Sequence, residues 1–373
     1  MKCLGLLGLL GGVAVACGSA SAPGSTSPPA CGASDALWVA SDYSSSATGA
    51  LALSGDVTAT VGRVDLGADP SLSVSRGRAF FVARDTDTLF ELDPTCGTPT
   101  QQLDVHQASP TGTSDPQDVA VAADGSLWVP LFQVPEIVIL STSGALVGTI
   151  DLSPYDGDGN PDATSIAIVD TPAGEKAFVA LARLNPYPTS VQPSWMLRID
   201  VATATVEASV ALAGRNPFGT MQISEGILWL AEPGNFDDAT EADAGVERFD
   251  TSTSTTALFA HEADLGGSVA QVSVSGECGV AIVADATSVN ATSLALFDPT
   301  HGAVLTLASG SPLATAGFDL EGLAWSGGAL LVGDRRRASS GYPVHVFDGA
   351  CTPVERADTV FLPLPPIAVA VAE

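Results

Sequence analysis

Lysine is all but missing from this sequence: Lys2 and Lys176 are the only two. Positive charge is scarce altogether, with Lys+Arg 14 against Asp+Glu 42 and a formal net charge of −28. Such a surface repels phosphate backbones, so nucleic acid is not an expected partner. Long apolar runs are lacking too, and no stretch after residue 17 could cross a bilayer as a helix. No two cysteines stand at C-x-x-C spacing, which argues against a thiolate metal site. There is no G-x-S-x-G elbow and no glycine-rich phosphate loop after a strand. The four histidines, His106, His261, His301 and His345, fall in different segments and share no motif. Catalytic chemistry therefore has little to stand on.

What the sequence does hold is 373 residues, 46% of them hydrophobic, enough for a large core. Gly 38 and Pro 25 punctuate short apolar runs, which points to an all-β protein.

Residues 1–16 read MKCLGLLGLLGGVAVA. One positive charge precedes an apolar run too short for a membrane span, as in a secretory signal. The run ends in Ala14-Val15-Ala16-Cys17, which resembles the bacterial lipobox. That resemblance implies lipidation of Cys17, which would become the new N-terminus. Residues 17–34 then form a lipidated cysteine with a Gly/Ser/Pro tether that has nothing to pack. Ser19, at the second mature position, resembles the outer-membrane sorting pattern of Gram-negative lipoproteins. The expectation is an exported protein held at the cell envelope by its lipid.

From residue 35 onward one apolar strand motif recurs. It reads LWVA at Leu37, FFVA at Phe80, LWVP at Leu127, AFVA at Ala177, LWLA at Leu228, AIVA at Ala281 and LLVG at Leu330. The copies come about every fifty residues, the spacing of four-stranded propeller blades. A shorter strand precedes most copies, such as LSVS at Leu72 or VSVS at Val272, and two more follow. The first repeat has no inner strand before Leu37, whereas the last segment, PPIAVAVAE, is an inner strand with nothing after it. An open ring would leave an unpaired edge. Residues 367–372 are therefore predicted to complete blade 1, and 35–373 to form one seven-bladed β-propeller closed by its C-terminal strand, four antiparallel strands per blade. This repeat pattern resembles the YVTN-repeat, YncE-like propellers and related bacterial lipoproteins. The resemblance implies an exported propeller and no common activity.

Cys31, Cys96, Cys278 and Cys351 remain after Cys3 leaves with the signal and Cys17 takes the lipid. An even number in an oxidising compartment favours disulfides. On the blade assignment, the turn between the first two strands of a blade and the turn between its last two share a face. Cys31–Cys96 and Cys278–Cys351 then have the same offset between neighbouring blades; Cys31–Cys351 is the competing pairing.

The opposite face carries long loops at 180–195, 231–245 and 333–343, where binding residues usually reside. Asp42, Asp85, Asp87, Glu232, Asp237, Asp285 and Asp334 gather there, beside the basic run Arg335-Arg336-Arg337. One loop has ligand spacing: Asp156, Asp158, Asn160 and Asp162 offer oxygens at every second residue, suited to Ca²⁺. It resembles the first half of an EF-hand, but has Pro161 where that loop has glycine and Ala167 where it has glutamate. A polar turn competes with the calcium reading. Phe318-Asp319-Leu320-Glu321-Gly322-Leu323-Ala324 resembles the EGLA segment of phytase-like propellers, which makes Glu321 a possible channel residue. Together these features favour a non-enzymatic, membrane-anchored scaffold. It would bind an unknown protein or small molecule on its loop face. The alternative is a calcium-dependent hydrolase of the lactonase or phytase-like propeller type.

Overall fold

The computed structural model describes residues 34–371 except 56, 106–111, 237, 239–240, 277, 286–287 and 308–309. They fall in the compact unit Gly32–Glu373. No helix among them is long and apolar enough to cross a membrane.

Seven sheets of at least four antiparallel strands make up the fold. Blade 2 shows the order: Pro70–Ser75, Arg78–Ala83, Thr88–Leu92 and Pro99–Asp104 pair in sequence from the inner edge outward. Blades 3 to 6 repeat it from Ala120–Val121, Ala163–Thr171, Phe218–Ser224 and Gly267–Ser275 respectively. Tight hairpins join the first two strands. At Arg76-Gly77 and at Glu225-Gly226 both central residues have positive φ, the type I′ geometry that matches strand twist.

The second strand of each blade carries a short apolar run because its middle is covered on both sides. Ala36–Ser41 and Leu127–Pro130 are buried at every position. Outermost strands face solvent and alternate, as Thr205–Ala211 does. Among the described residues the buried apolar side chains form seven clusters, and each cluster spans one junction between neighbouring blades. The cores lie between blades rather than inside them.

Facing directions add a detail that the motif hides. The second motif residue points to the following blade in Trp128, Phe178, Trp229, Ile282 and Leu331. Trp38 and Phe81 point to the preceding blade. The motif in blades 1 and 2 is therefore one residue out of phase with the other five, and a slip of one residue swaps the two faces of a strand.

The ring closes as expected. Pro366–Val371 pairs antiparallel with Ala36–Ser41, with Trp38 opposite Val369 and Leu37 opposite Ala370. Blade 7 (from Leu320–Ser326) has a split outer strand, Val354–Glu355 and Val360–Leu362, both paired to Tyr342–Asp348. In the gap, Arg356 pairs with Asp358 at 2.8 Å and donates to the carbonyls of Leu53 and Gly55. Asp358 accepts the Val57 N–H at 3.1 Å. This clasp across the seam, on the outer rim, had no signature in the repeat.

Candidate binding face

The inner strands surround a channel of about 560 Å³ lined by residues such as Ser73, Asp118, Ile166, Gln222, Trp325 and Val369. Its polar side chains stitch one blade to the next. Asp118 accepts from Ser73 Oγ in blade 2 at 2.5 Å and from the Ile166 N–H in blade 4 at 3.1 Å. Burial pushes its carboxyl up to about 6. Gln222 exchanges hydrogen bonds with the backbone of Val274, and Gln271 accepts the Gly322 N–H at 2.9 Å. These groups are spent on holding the ring.

Glu321 stands at the end of the channel that the long loops surround. It pairs with Arg335 at 2.5 Å, and Arg335 lies over the Tyr43 ring at 5.2 Å. Burial pushes the Glu321 carboxyl to about 7 while Arg335 pulls it down. Arg336 binds Asp334 at 2.6 Å and Arg337 lies over Tyr342. The basic run thus balances its neighbours. The acidic loop residues are mostly loop staples. Asp42 caps Ser44 and Ser45, Asp85 accepts the Ala68 N–H, and Asp87 accepts the N–H groups of Ser114 and Asp115. Asp237 lies outside the described residues.

The calcium-type loop is tied up in the same way. Asp156 accepts Gln192 Nε2 at 2.9 Å, Asp158 accepts the Asn160 N–H at 2.9 Å, and Asn160 Nδ2 donates to Phe132 O and Asp162. Asp162 also accepts the Leu184 N–H at 2.7 Å, and burial pushes its carboxyl up to about 7. Asn160 Oδ1 is the one buried oxygen of the set with no partner. Among the described residues no three His, Cys, Asp or Glu side chains converge as a metal site requires, and these four do not fit a calcium cage as they stand.

Cys17 and Cys31 lie outside the described residues. Cys96 is disulfide-bonded. Cys278 and Cys351 come together as thiols within hydrogen-bonding reach, and burial pushes the Cys278 thiol up. His345 bridges Glu355 and Asp334, His301 pairs with Asp298, and His261 meets the Ala242 carbonyl. The described histidines are thus held apart in separate blades.

A feature that the motifs did not indicate is a groove of about 720 Å³ between blades 4 and 5. Pro188, Thr189, Asn216, Asn235, Phe236 and Glu241 line it. Tyr187 packs edge-on against Phe132 at 6.1 Å, and Phe218 against Phe236 at 4.9 Å. Tyr187, which faces Phe132 of blade 3, is 67% exposed, Val191 on the same loop 60% and Phe218 47%. Tyr43 and Phe318, on the same loop face, are exposed as well. The other exposed large apolar residues stand on outermost strands or, for Ile223, in the channel. The loop face is therefore the end of the ring that presents aromatic surface.

No protein-family model and no curated protein sequence matches the chain. Solved structures do. The WD40 repeats of RRP9 match at 14% identity and TM-score 0.54, over 79% of this chain and 82% of that one. A streptogramin B lyase matches at 12% and 0.51, over 77% and 82%. The virginiamycin B lyase from Staphylococcus aureus matches at 11% and 0.52, over 77% and 83%. At such identities the likeness is one of fold: this chain is a seven-bladed β-propeller, and that is what it shares with them.

Proposed function

We propose that this chain is an exported, lipid-anchored propeller that binds a protein partner on its loop face, at the groove between blades 4 and 5. The observation that carries the reading is a groove of about 720 Å³ with Phe236 on its wall packed against the exposed Phe218, while Tyr187 and Val191 stand exposed on the loop that supplies Pro188 and Thr189. Exposed aromatic side chains on loops held by a rigid ring are what interface centres are made of. The lipobox at Ala14–Cys17 supports the anchor, and Ser19 supports retention at a Gram-negative outer membrane. A calcium-dependent hydrolase would need several carboxylates around one ion, whereas Glu321 is paired to Arg335.

The test is site-directed photo-crosslinking in cells, with the photoreactive residue at Tyr187 or, as control, at Val147 on an outermost strand. Discrete adducts at Tyr187 alone, lost in Phe218→Ala, are expected. Equal labelling at both positions, or none at Tyr187, refutes the site. Lipid-analogue labelling of Cys17→Ala checks the anchor: a variant still labelled removes it.

A further inference from the structure

Next to the groove, the junction of blades 4 and 5 contains two buried carboxyl groups that, among the described residues, pair with no cation. Glu232 ends the strand Ile227–Glu232 and Glu247 sits in its neighbour Gly245–Asp250. In the register Leu230 faces Glu247 and Glu232 faces Gly245. The two glutamates are thus diagonal neighbours on the face that also carries Leu228, Leu230 and Phe249, which pack on Phe178 and Met196 of blade 4. Both are 0% exposed.

Their surroundings differ. Glu247 accepts the N–H groups of Ala213 and Gly214, at 3.2 and 2.8 Å. Those bonds favour its charged form. Among the described residues no donor other than a carboxyl proton reaches either oxygen of Glu232. One of its oxygens presses on Gly214, where even a Cβ would collide. The charged groups nearby are Asp243, Glu241 and Arg215. Arg215 is taken by Glu241 at 2.8 Å and Asp243 at 2.7 Å. The blade 4 side is apolar: Phe178, Ala180, Met196 and Leu212.

We infer that Glu232 and Glu247 share one proton that holds the blade 4–5 junction shut, so that the groove above it is gated by pH. Glu232 carries the proton and donates its O–H to the Glu247 carboxylate. Releasing that proton to solvent leaves two like charges in an apolar junction. Burial and the facing carboxylate both push the Glu232 carboxyl up. A carboxyl raised on folding stabilises the fold most below its unfolded value and progressively less as pH climbs to its folded one. The junction therefore loosens as pH rises. Gly214 and Glu232 each stand two residues from groove residues, Asn216 and Gly234, which are joined by a hydrogen bond of 2.7 Å. Loosening the junction thus reaches the groove. This inference rests on the groove being the binding site, but its test needs no partner.

Hydrogen exchange of the peptide covering Ala213 and Gly214 is followed from about pH 5 to about pH 9, with rates corrected for intrinsic exchange. In the wild type, protection should drop at least tenfold across this range. In Glu232→Gln, which keeps a donor without a charge, it should stay flat. Infrared difference spectra of the wild type minus Glu232→Gln at neutral pH should show the C=O band of a protonated carboxyl. If the variant does not fold, the wild-type exchange profile still decides. Flat wild-type protection, or protection that appears only on adding Ca²⁺, overturns the inference, the second by assigning the pair to a metal ion.

Discussion

Deleting residues 365–373 removes the strand that closes the ring and leaves the other three strands of blade 1 untouched. Ile367 and Val369 are 7% and 6% exposed, and fully burying each such side chain is worth about 1.5–3 kcal/mol. Five register pairs join this strand to Ala36–Ser41, and the Pro365 carbonyl accepts the Ser41 N–H at 2.8 Å. Each lost ladder bond costs a further ~0.5–1.5 kcal/mol. Trp38, buried opposite Val369, would meet water on that side. The two side chains alone approach the lower end of a domain's total stability, about 5 kcal/mol. The clasp of Arg356 and Asp358 remains, but it spans the outer rim and cannot replace an inner strand. Thermal unfolding followed by circular dichroism should show a melting temperature lowered by more than ten degrees, or aggregation from the bare edge. A synthetic peptide of residues 365–373 added in excess should restore much of the loss by mass action. A truncated protein that melts with the full-length one, and ignores the peptide, would refute closure by this strand.

Two further substitutions probe the packing and the thiols. Gly49→Ala should destabilise by about 1–3 kcal/mol through overpacking, because the new Cβ would overlap the Trp38 ring and the Thr60 carbonyl. Gly148→Ala, with open space around it, should be near neutral in the same denaturant titration, and equal effects would contradict the packing described. Mild oxidation should join Cys278 to Cys351 and raise the melting temperature, with at most about 4 kcal/mol from the chain-entropy argument. Non-reducing peptide mapping checks the link, and Cys278→Ser should abolish the gain; mapping that instead joined Cys31 to Cys351 would overturn the pairing.

The ring was legible because a propeller repeats its buried strand. LWVA, FFVA and their relatives are covered on both sides, so they read as short apolar runs whichever way each side chain faces. That same property concealed the one-residue phase difference of Trp38 and Phe81, since only the direction of a side chain, not its polarity, changes. The closing strand was legible from the missing inner strand at Leu37. Sites were less so. Spacing suggested that Asp156, Asp158, Asn160 and Asp162 would converge on an ion, but hydrogen bonds to Gln192, Leu184 and Phe132 compete for the same atoms, and those partners are distant in sequence. Glu232 read as one more loop acid. Its burial depends on Glu247 and Gly214, which come from other strands and loops. The groove aromatics carry no motif, because Phe218 and Phe236, which meet there, are neighbours in space and not in sequence.

Lys176 gives the protein an unusual chemical silence. Its amine sits between Asp200 and Glu207, at 2.6 and 2.7 Å, and the residue is 7% exposed. Hydrogen bonds to both carboxylates raise its pKa, so the nucleophilic neutral amine is rarer than on an ordinary lysine. With Lys2 the only other lysine, the folded ring offers succinimide esters and amine cross-linkers almost nothing to attack. Acylation at Lys176 would then report unfolding of blade 4, a footprint available without introducing any probe.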